Sequence, residues 1–108
     1  MFSLNSGLLS SVPSGQSAAA FGYCGATASV SANGSSDGIV WAVDTGGATA
    51  VLHAYDATAV SHELYNTTQA GSRDTLGTAN KFAVPTVFNG KVYVGTATEL
   101  DVLGLVSR

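Results

Sequence analysis

Charge is scarce in this chain. Of its 108 residues, 10% are Asp, Glu, Lys or Arg, against roughly 25% in an ordinary soluble domain. Basic residues are scarcer still: 4 Lys and Arg stand against 7 Asp and Glu, for a net charge of −3. Nucleic-acid binders usually carry a basic stripe that neutralises phosphates, so the balance argues against that class. Cysteine occurs once, at Cys24. A single thiol closes no internal disulfide and builds no Cys-type zinc site, so cysteine usage leaves the compartment open. No apolar run approaches the roughly 18 residues of a transmembrane helix. No segment repeats apolar residues at helical spacing over three turns, and Glu, Lys, Arg and Gln are sparse. The opening Met1-Phe2-Ser3-Leu4-Asn5-Ser6-Gly7 lacks the basic and apolar regions of a secretory signal.

What the chain has instead is Gly, Ser, Thr, Ala and Val, with 45% hydrophobic residues in all. That is too apolar for a disordered chain. Short runs rich in Val, Tyr, Trp and Thr recur, each bounded by Gly, Asn, Asp or Ser, which is the signature of strands and turns. The expected strands are Phe2–Leu4, Thr27–Ala32, Ile39–Asp44, Val51–Asp56, Ser61–Tyr65, Phe82–Phe88, Lys91–Thr96 and Leu100–Leu105. Between the first two lies a Ser/Gly/Ala-rich connector, Leu8 to Gly25, and between Ser61–Tyr65 and Phe82–Phe88 a polar loop holding Arg73 and Asp74. Asn33-Gly34 and Asn89-Gly90 are strong turn dipeptides. Pro85 cannot donate to a ladder, so the strand around it is not paired on both sides there.

The pattern repeats. Ala32-Asn33-Gly34 matches Phe88-Asn89-Gly90, Ile39–Val43 matches Lys91–Gly95, and Leu52–Asp56 matches Leu100–Gly104, at offsets of 56, 52 and 48 residues. A period near 50 with about four strands per copy points to propeller blades. The runs Ile39–Val43 and Val92–Val94 do not alternate apolar with polar. A sheet with one wet face alternates, whereas stacked blades bury both faces of their middle strands. A small β-sandwich with doubly buried core strands is the competing architecture. Either way, Trp41, Leu52, Ala54, Val84, Val92 and Val94 are the expected core.

The stretch Val51-Leu52-His53-Ala54-Tyr55-Asp56-Ala57-Thr58, followed by Glu63-Leu64-Tyr65, resembles a repeat of the PQQ-like (pyrroloquinoline-quinone-type) β-propeller, and Lys91–Thr96 resembles the second strand of such a repeat. Ser31–Gly34, Gly38–Trp41, Arg73-Asp74 and Phe82–Val87 extend the resemblance over about residues 20–105. The resemblance implies an all-β, incomplete propeller of about two blades, each a four-stranded antiparallel meander. Residues 1–25 would be an outer strand of a preceding blade plus a connector. Residues 26–66 would form one full blade, and residues 67–108 a loop plus the first three strands of the last. It further implies the C-terminal blades of a bacterial, extracytoplasmic protein, secreted or periplasmic.

The resemblance departs from the family where chemistry would lie. Ala54 and Asp56 match the repeat, but Ala59 and Val60 stand where Thr and Gly are expected, and Leu64 stands where the docking Trp is expected. A quinone pocket also needs a calcium site of Glu, Asn and Asp with a catalytic Asp, and no such set is recognisable. PQQ is therefore expected only in a full-length parent, and no catalytic, cofactor-binding or metal residue is assigned. His53 and His62 lie on adjacent expected strands. Asp44 and Asp56, their nearest candidate co-ligands, sit at strand ends where Asp commonly bonds the backbone. Arg73 and Asp74 are the candidate rim contacts, because charge is rare and their loop leads back to an inner strand. The reading the residues favour for the pair is a loop staple, a hydrogen bond from Arg73 to a carbonyl or carboxylate. The expected function is a non-catalytic scaffold or binding surface. Its partners would be the remaining blades, a second copy, or a protein or glycan ligand, with no nucleic acid and no membrane span. The other readings are a fragment of a PQQ-dependent quinoprotein oxidoreductase and a stand-alone β-sandwich binding module.

Overall fold

The structure is a computed structural model and describes residues 1–23, 25–81 and 83–104. Those residues are all-β. Strands β1 (Leu4–Asn5) and β2 (Leu8–Leu9) form a small hairpin. Strands β3 (Ser29–Asn33), β4 (Ser36–Asp44), β5 (Val51–Asp56) and β6 (Ala59–Asn66) form a four-stranded antiparallel meander, here sheet I. Strands β7 (Thr86–Phe88), β8 (Lys91–Gly95) and β9 (Leu100–Leu103) form a three-stranded antiparallel meander, sheet II. The strands thus pair in chain order, and the two copies of the repeat fall in separate sheets. Among the described residues no helix is long and apolar enough to cross a membrane.

Turn chemistry explains the hairpins. Asn89 and Gly90 take φ of 52° and 72° between the paired Phe88 and Lys91, the left-handed pair that a tight two-residue hairpin requires. Ser6 and Gly7 do the same at 51° and 80°, joining Asn5 to Leu8. That second turn corrects the sequence expectation. The first strand is not Phe2–Leu4 but Leu4–Asn5, and Leu8–Leu9 is its partner rather than the start of a connector. Strand β7 is also shorter than Phe82–Phe88. It begins at Thr86, directly after Pro85, which is buried and has no N–H to give a ladder. Val84, expected in the core, is 46% exposed because it precedes the strand and its neighbour Pro85 takes the buried position. Phe82 and Leu105, at the limits of two expected strands, lie outside the described residues.

The repeat is preserved in the register. Val43 pairs with Leu52 as Gly95 pairs with Leu100, and Trp41 pairs with Ala54 as Tyr93 pairs with Val102. Ala42 pairs with His53 as Val94 pairs with Asp101, and Val40 with Tyr55 as Val92 with Leu103. Cross-strand partners share a face and successive residues alternate faces. Each sheet therefore has two comparable faces. The front face holds Trp41, Val43, Leu52 and Ala54 in sheet I and Tyr93, Gly95, Leu100 and Val102 in sheet II. The back face holds Val40, Ala42, His53 and Tyr55 in sheet I and Val92, Val94, Asp101 and Leu103 in sheet II.

The core forms where the front of sheet I meets the back of sheet II. Val43, Ala50, Leu52, Leu76, Val92 and Val94 are buried together, with Trp41, Val87 and Leu103 packed against them. Ala54 is buried as well, so four of the six expected core residues are fully buried and Trp41 is partly so. The strand-connecting loops lock the sheets at one end. Ala50 N donates to Gly77 O at 3.1 Å, Ala79 N to Ala48 O at 2.9 Å, and Ala97 N to Thr78 O at 2.9 Å. The segment around Thr78 is thus bonded to the β4–β5 loop on one side and the β8–β9 loop on the other. At the inner edge, the Ser29 hydroxyl donates to the Pro85 carbonyl.

Candidate functional site

Away from the locked end an open groove of about 850 Å³ lies between the sheets. Ile39, Trp41, Ala54, Leu64 and Tyr65 of sheet I form one wall, and Val87, Val92 and Leu103 of sheet II the other. The loop Arg73–Leu76 runs along its rim. These side chains are placed by strand parity. Ile39, Trp41 and Ala54 share the front face of sheet I, and Tyr65 joins them because it pairs with Ala54. Trp41 contributes its ring to the wall while its Nε1–H donates to Ser31 Oγ at 2.8 Å, across the β3–β4 pair. Its indole polar group is therefore satisfied without a ligand.

Both candidate rim residues, Arg73 and Asp74, line this groove, and they are bonded to each other. Arg73 Nε donates to Asp74 Oδ1 at 2.8 Å and Nη2 to Oδ2 at 2.9 Å, a bidentate fork. The Tyr65 hydroxyl donates to Asp74 Oδ2 as well. These donors hold the Asp74 carboxyl down to about 2, chiefly through the Arg73 bonds and then the Tyr65 bond. Burial, reinforced by the bond to Asp74, pushes the Tyr65 phenol up to about 12. The bond from Tyr65 to Asp74 thus ties the loop to β6, with Arg73 bracing the carboxylate, a loop staple of the kind the residues favoured. Tyr65 is the member the sequence reading missed as a groove residue. Its signal was only a phenol on a strand, with an acid nine residues downstream in a loop.

The remaining polar candidates fall elsewhere. His53 lies on the back face of sheet I, where its Nδ1 meets Glu63 Oε1 at 2.6 Å. Asn66 Nδ2 also donates to that oxygen, at 3.1 Å, and the Tyr55 ring stacks on the imidazole. His62 lies 4.0 Å from Asp56 Oδ2 and is largely exposed. The two histidines therefore serve different carboxylates and form no joint site. Asp44 Oδ1 accepts from Gly46 N at 2.9 Å, and Asp56 Oδ1 from Thr58 N at 2.8 Å, the backbone bonds expected of strand-end aspartates. No cluster of three metal-binding side chains occurs among the described residues.

The titratable groups at the groove are committed to one another. Asp74 has both oxygens occupied and is held anionic, so it is a poor proton acceptor. Tyr65 is held neutral and is committed to Asp74. His53, the buried imidazole that could act as a base, does not line the groove. Comparison of the chain with protein-family models, with curated proteins and with solved structures returned no match.

Proposed function

We propose that this chain is a non-catalytic β-scaffold built from PQQ-like propeller-type blades, and that it works by stacking sheet on sheet. One observation carries the reading. The front face of sheet I is buried against the back of sheet II, while among the described residues the repeat-equivalent front face of sheet II leaves Leu100 and Val102 exposed. Leu52 is 0% exposed and its counterpart Leu100 is 63% exposed. Phe88, which pairs with Lys91 beside that same face, is 70% exposed. An apolar sheet face of this kind marks an interaction surface. In a longer extracytoplasmic parent it would receive the next blade. For the isolated chain, the available cover is the same face of a second copy, in an isologous pair. The groove beside Arg73–Asp74 is then a display surface between blades, suited to a protein or glycan ligand, and the chain needs no cofactor for this role.

Sedimentation over a concentration series tests the proposal. The expected result is reversible association to a dimer that Leu100→Lys abolishes without loss of the β circular-dichroism signal. A monomer at every concentration, or a dimer indifferent to Leu100→Lys, would overturn it.

A further inference from the structure

The contact between the two sheets has a direction: front on back. A stack built on that rule has two different ends, one presenting a front face and the other a back face. The front-face end, on sheet II, leaves Phe88, Leu100 and Val102 exposed among the described residues. The back-face end, on sheet I, is covered by the chain itself. Gly15, Ser17, Ala19 and Phe21 are half-buried while their neighbours are exposed, the alternation of an extended segment laid across a sheet. The Phe21 ring sits 5.0 Å from that of His53, and Gly22 N donates to Asp44 Oδ1 at 3.3 Å. Gly22 and Gly46 cross so closely that a Cβ on Gly22 would lie 2.4 Å from Gly46 Cα. Only glycine at both positions permits that crossing.

We infer that residues 15–23 are a cap, which shuts the back face of sheet I against the front face of a second copy of this chain. The occupant follows from the fold. Front-on-back packing is already made once inside the chain, between the two repeat-equivalent sheets, and the front face able to make it again is the exposed Phe88, Leu100 and Val102 surface of sheet II. A front face docking on an uncapped back face is a heterologous contact, which propagates into open chains unless it closes into a ring. A front face docking on another front face closes after two copies. The cap therefore sets the size of the assembly. This inference rests on the stacking reading above.

The test uses the full chain. Gly22→Val forces a branched side chain into the Gly46 backbone, and Phe21→Ala removes the ring that holds the segment on His53. Sedimentation velocity over a concentration series is expected to show wild type no larger than a dimer. Both variants should form larger species, with a weight-average mass at least about twice that of wild type at high concentration. Leu100→Lys added to either variant should return it to monomer, which misfolding aggregation would not do. Variants that keep the wild-type distribution, or that grow regardless of Leu100→Lys, would overturn the cap. The two readings fail separately. A wild-type dimer indifferent to Leu100→Lys removes stacking itself. A wild-type dimer dissolved by it, with Gly22→Val and Phe21→Ala variants that stay dimeric, removes only the cap.

Discussion

Sheets I and II carry the same repeat and the same cross-strand pairs, yet they are buried very differently. In sheet I, β4 is shielded on both faces, so Ile39, Val40 and Trp41 are half-buried and Ala42 and Val43 are buried. In sheet II, the equivalent strand β8 is fully buried only at Val92 and Val94; Tyr93 between them is half-buried, and Lys91 and Gly95 are exposed. The apolar runs of the two strands are alike in sequence. The difference lies in what covers them. Sheet I has sheet II on its front and residues 15–23 on its back, whereas among the described residues sheet II is packed on its back alone. A continuous apolar run therefore reports that a strand is built for burial on two faces, and not that both faces are covered within the chain.

The sharpest way to break the comparison is to delete equivalent side chains. Leu52→Ala empties a fully enclosed site at the contact between the sheets, and is expected to cost about 2–5 kcal/mol of unfolding free energy. Leu100→Ala, at the matching position of sheet II, is expected to change stability by no more than about 0.5 kcal/mol, as for an ordinary surface substitution. Urea denaturation of the two variants under conditions where the chain is monomeric measures both. Equal losses would mean that the front face of sheet II is covered after all.

Much of this contrast was legible in the residues, and part of it was not. The repeat spacing yielded the strand order and the separation into two sheets, because turn dipeptides such as Asn89-Gly90 and the runs they bound are local signals. The register followed the same repeat. Covering was not legible. Nothing in the Ser/Gly/Ala-rich segment before Cys24 announces that it lies across a sheet, since its grip depends on a backbone crossing at Gly22 and Gly46, 24 residues apart. Val84 shows the same limit at smaller scale: it is as apolar as its neighbours, but Pro85 takes the inward position. Within the groove, Arg73 and Asp74 stood out because charge is rare, while Tyr65 did not, since a tyrosine on a strand is commonplace until its hydroxyl finds a carboxylate.

A smaller effect tests whether sheet II depends on its turn. Gly90 has φ of 72°, and a Cβ there would meet nothing within 4 Å. The cost of Gly90→Ala is then purely that of holding an L-residue in the left-handed region, about 1–2 kcal/mol. It should appear as an earlier urea midpoint. Sheet II has only the one neighbour to offset such a loss, so amide exchange should rise first in β7 and β8 and leave β5 protected. Uniform loss of protection across both sheets would mean that they unfold as one unit and that the difference in burial has no energetic counterpart.

The subtlest difference is in proton linkage. Sheet I carries the Tyr65–Asp74–Arg73 staple on its outer strand, and β9, the outermost strand of sheet II among the described residues, has no such cluster. Asp74 is held down to about 2 in the fold by its bonds from Arg73 and Tyr65, whereas an unfolded Asp titrates near 3.9. Its contribution to stability is thus fully present above about pH 4 and is lost as the pH falls towards about 2. Tyr65 runs the other way. Its phenol is raised to about 12 by burial and by the Asp74 bond, against about 10 when unfolded. The folded chain therefore holds the phenol proton where the unfolded chain releases it, and that contribution is lost as the pH rises from about 10 towards 12. Urea midpoints at low and high pH read both limbs. Asp74→Asn should flatten the acid limb, and Tyr65→Phe the alkaline one. Added salt should shrink the acid limb more, because Arg73 is largely exposed and its attraction for Asp74 is screened. If both limbs persist unchanged in the two variants, the staple is not what joins the loop to sheet I, and the groove rim is held by its backbone bonds alone.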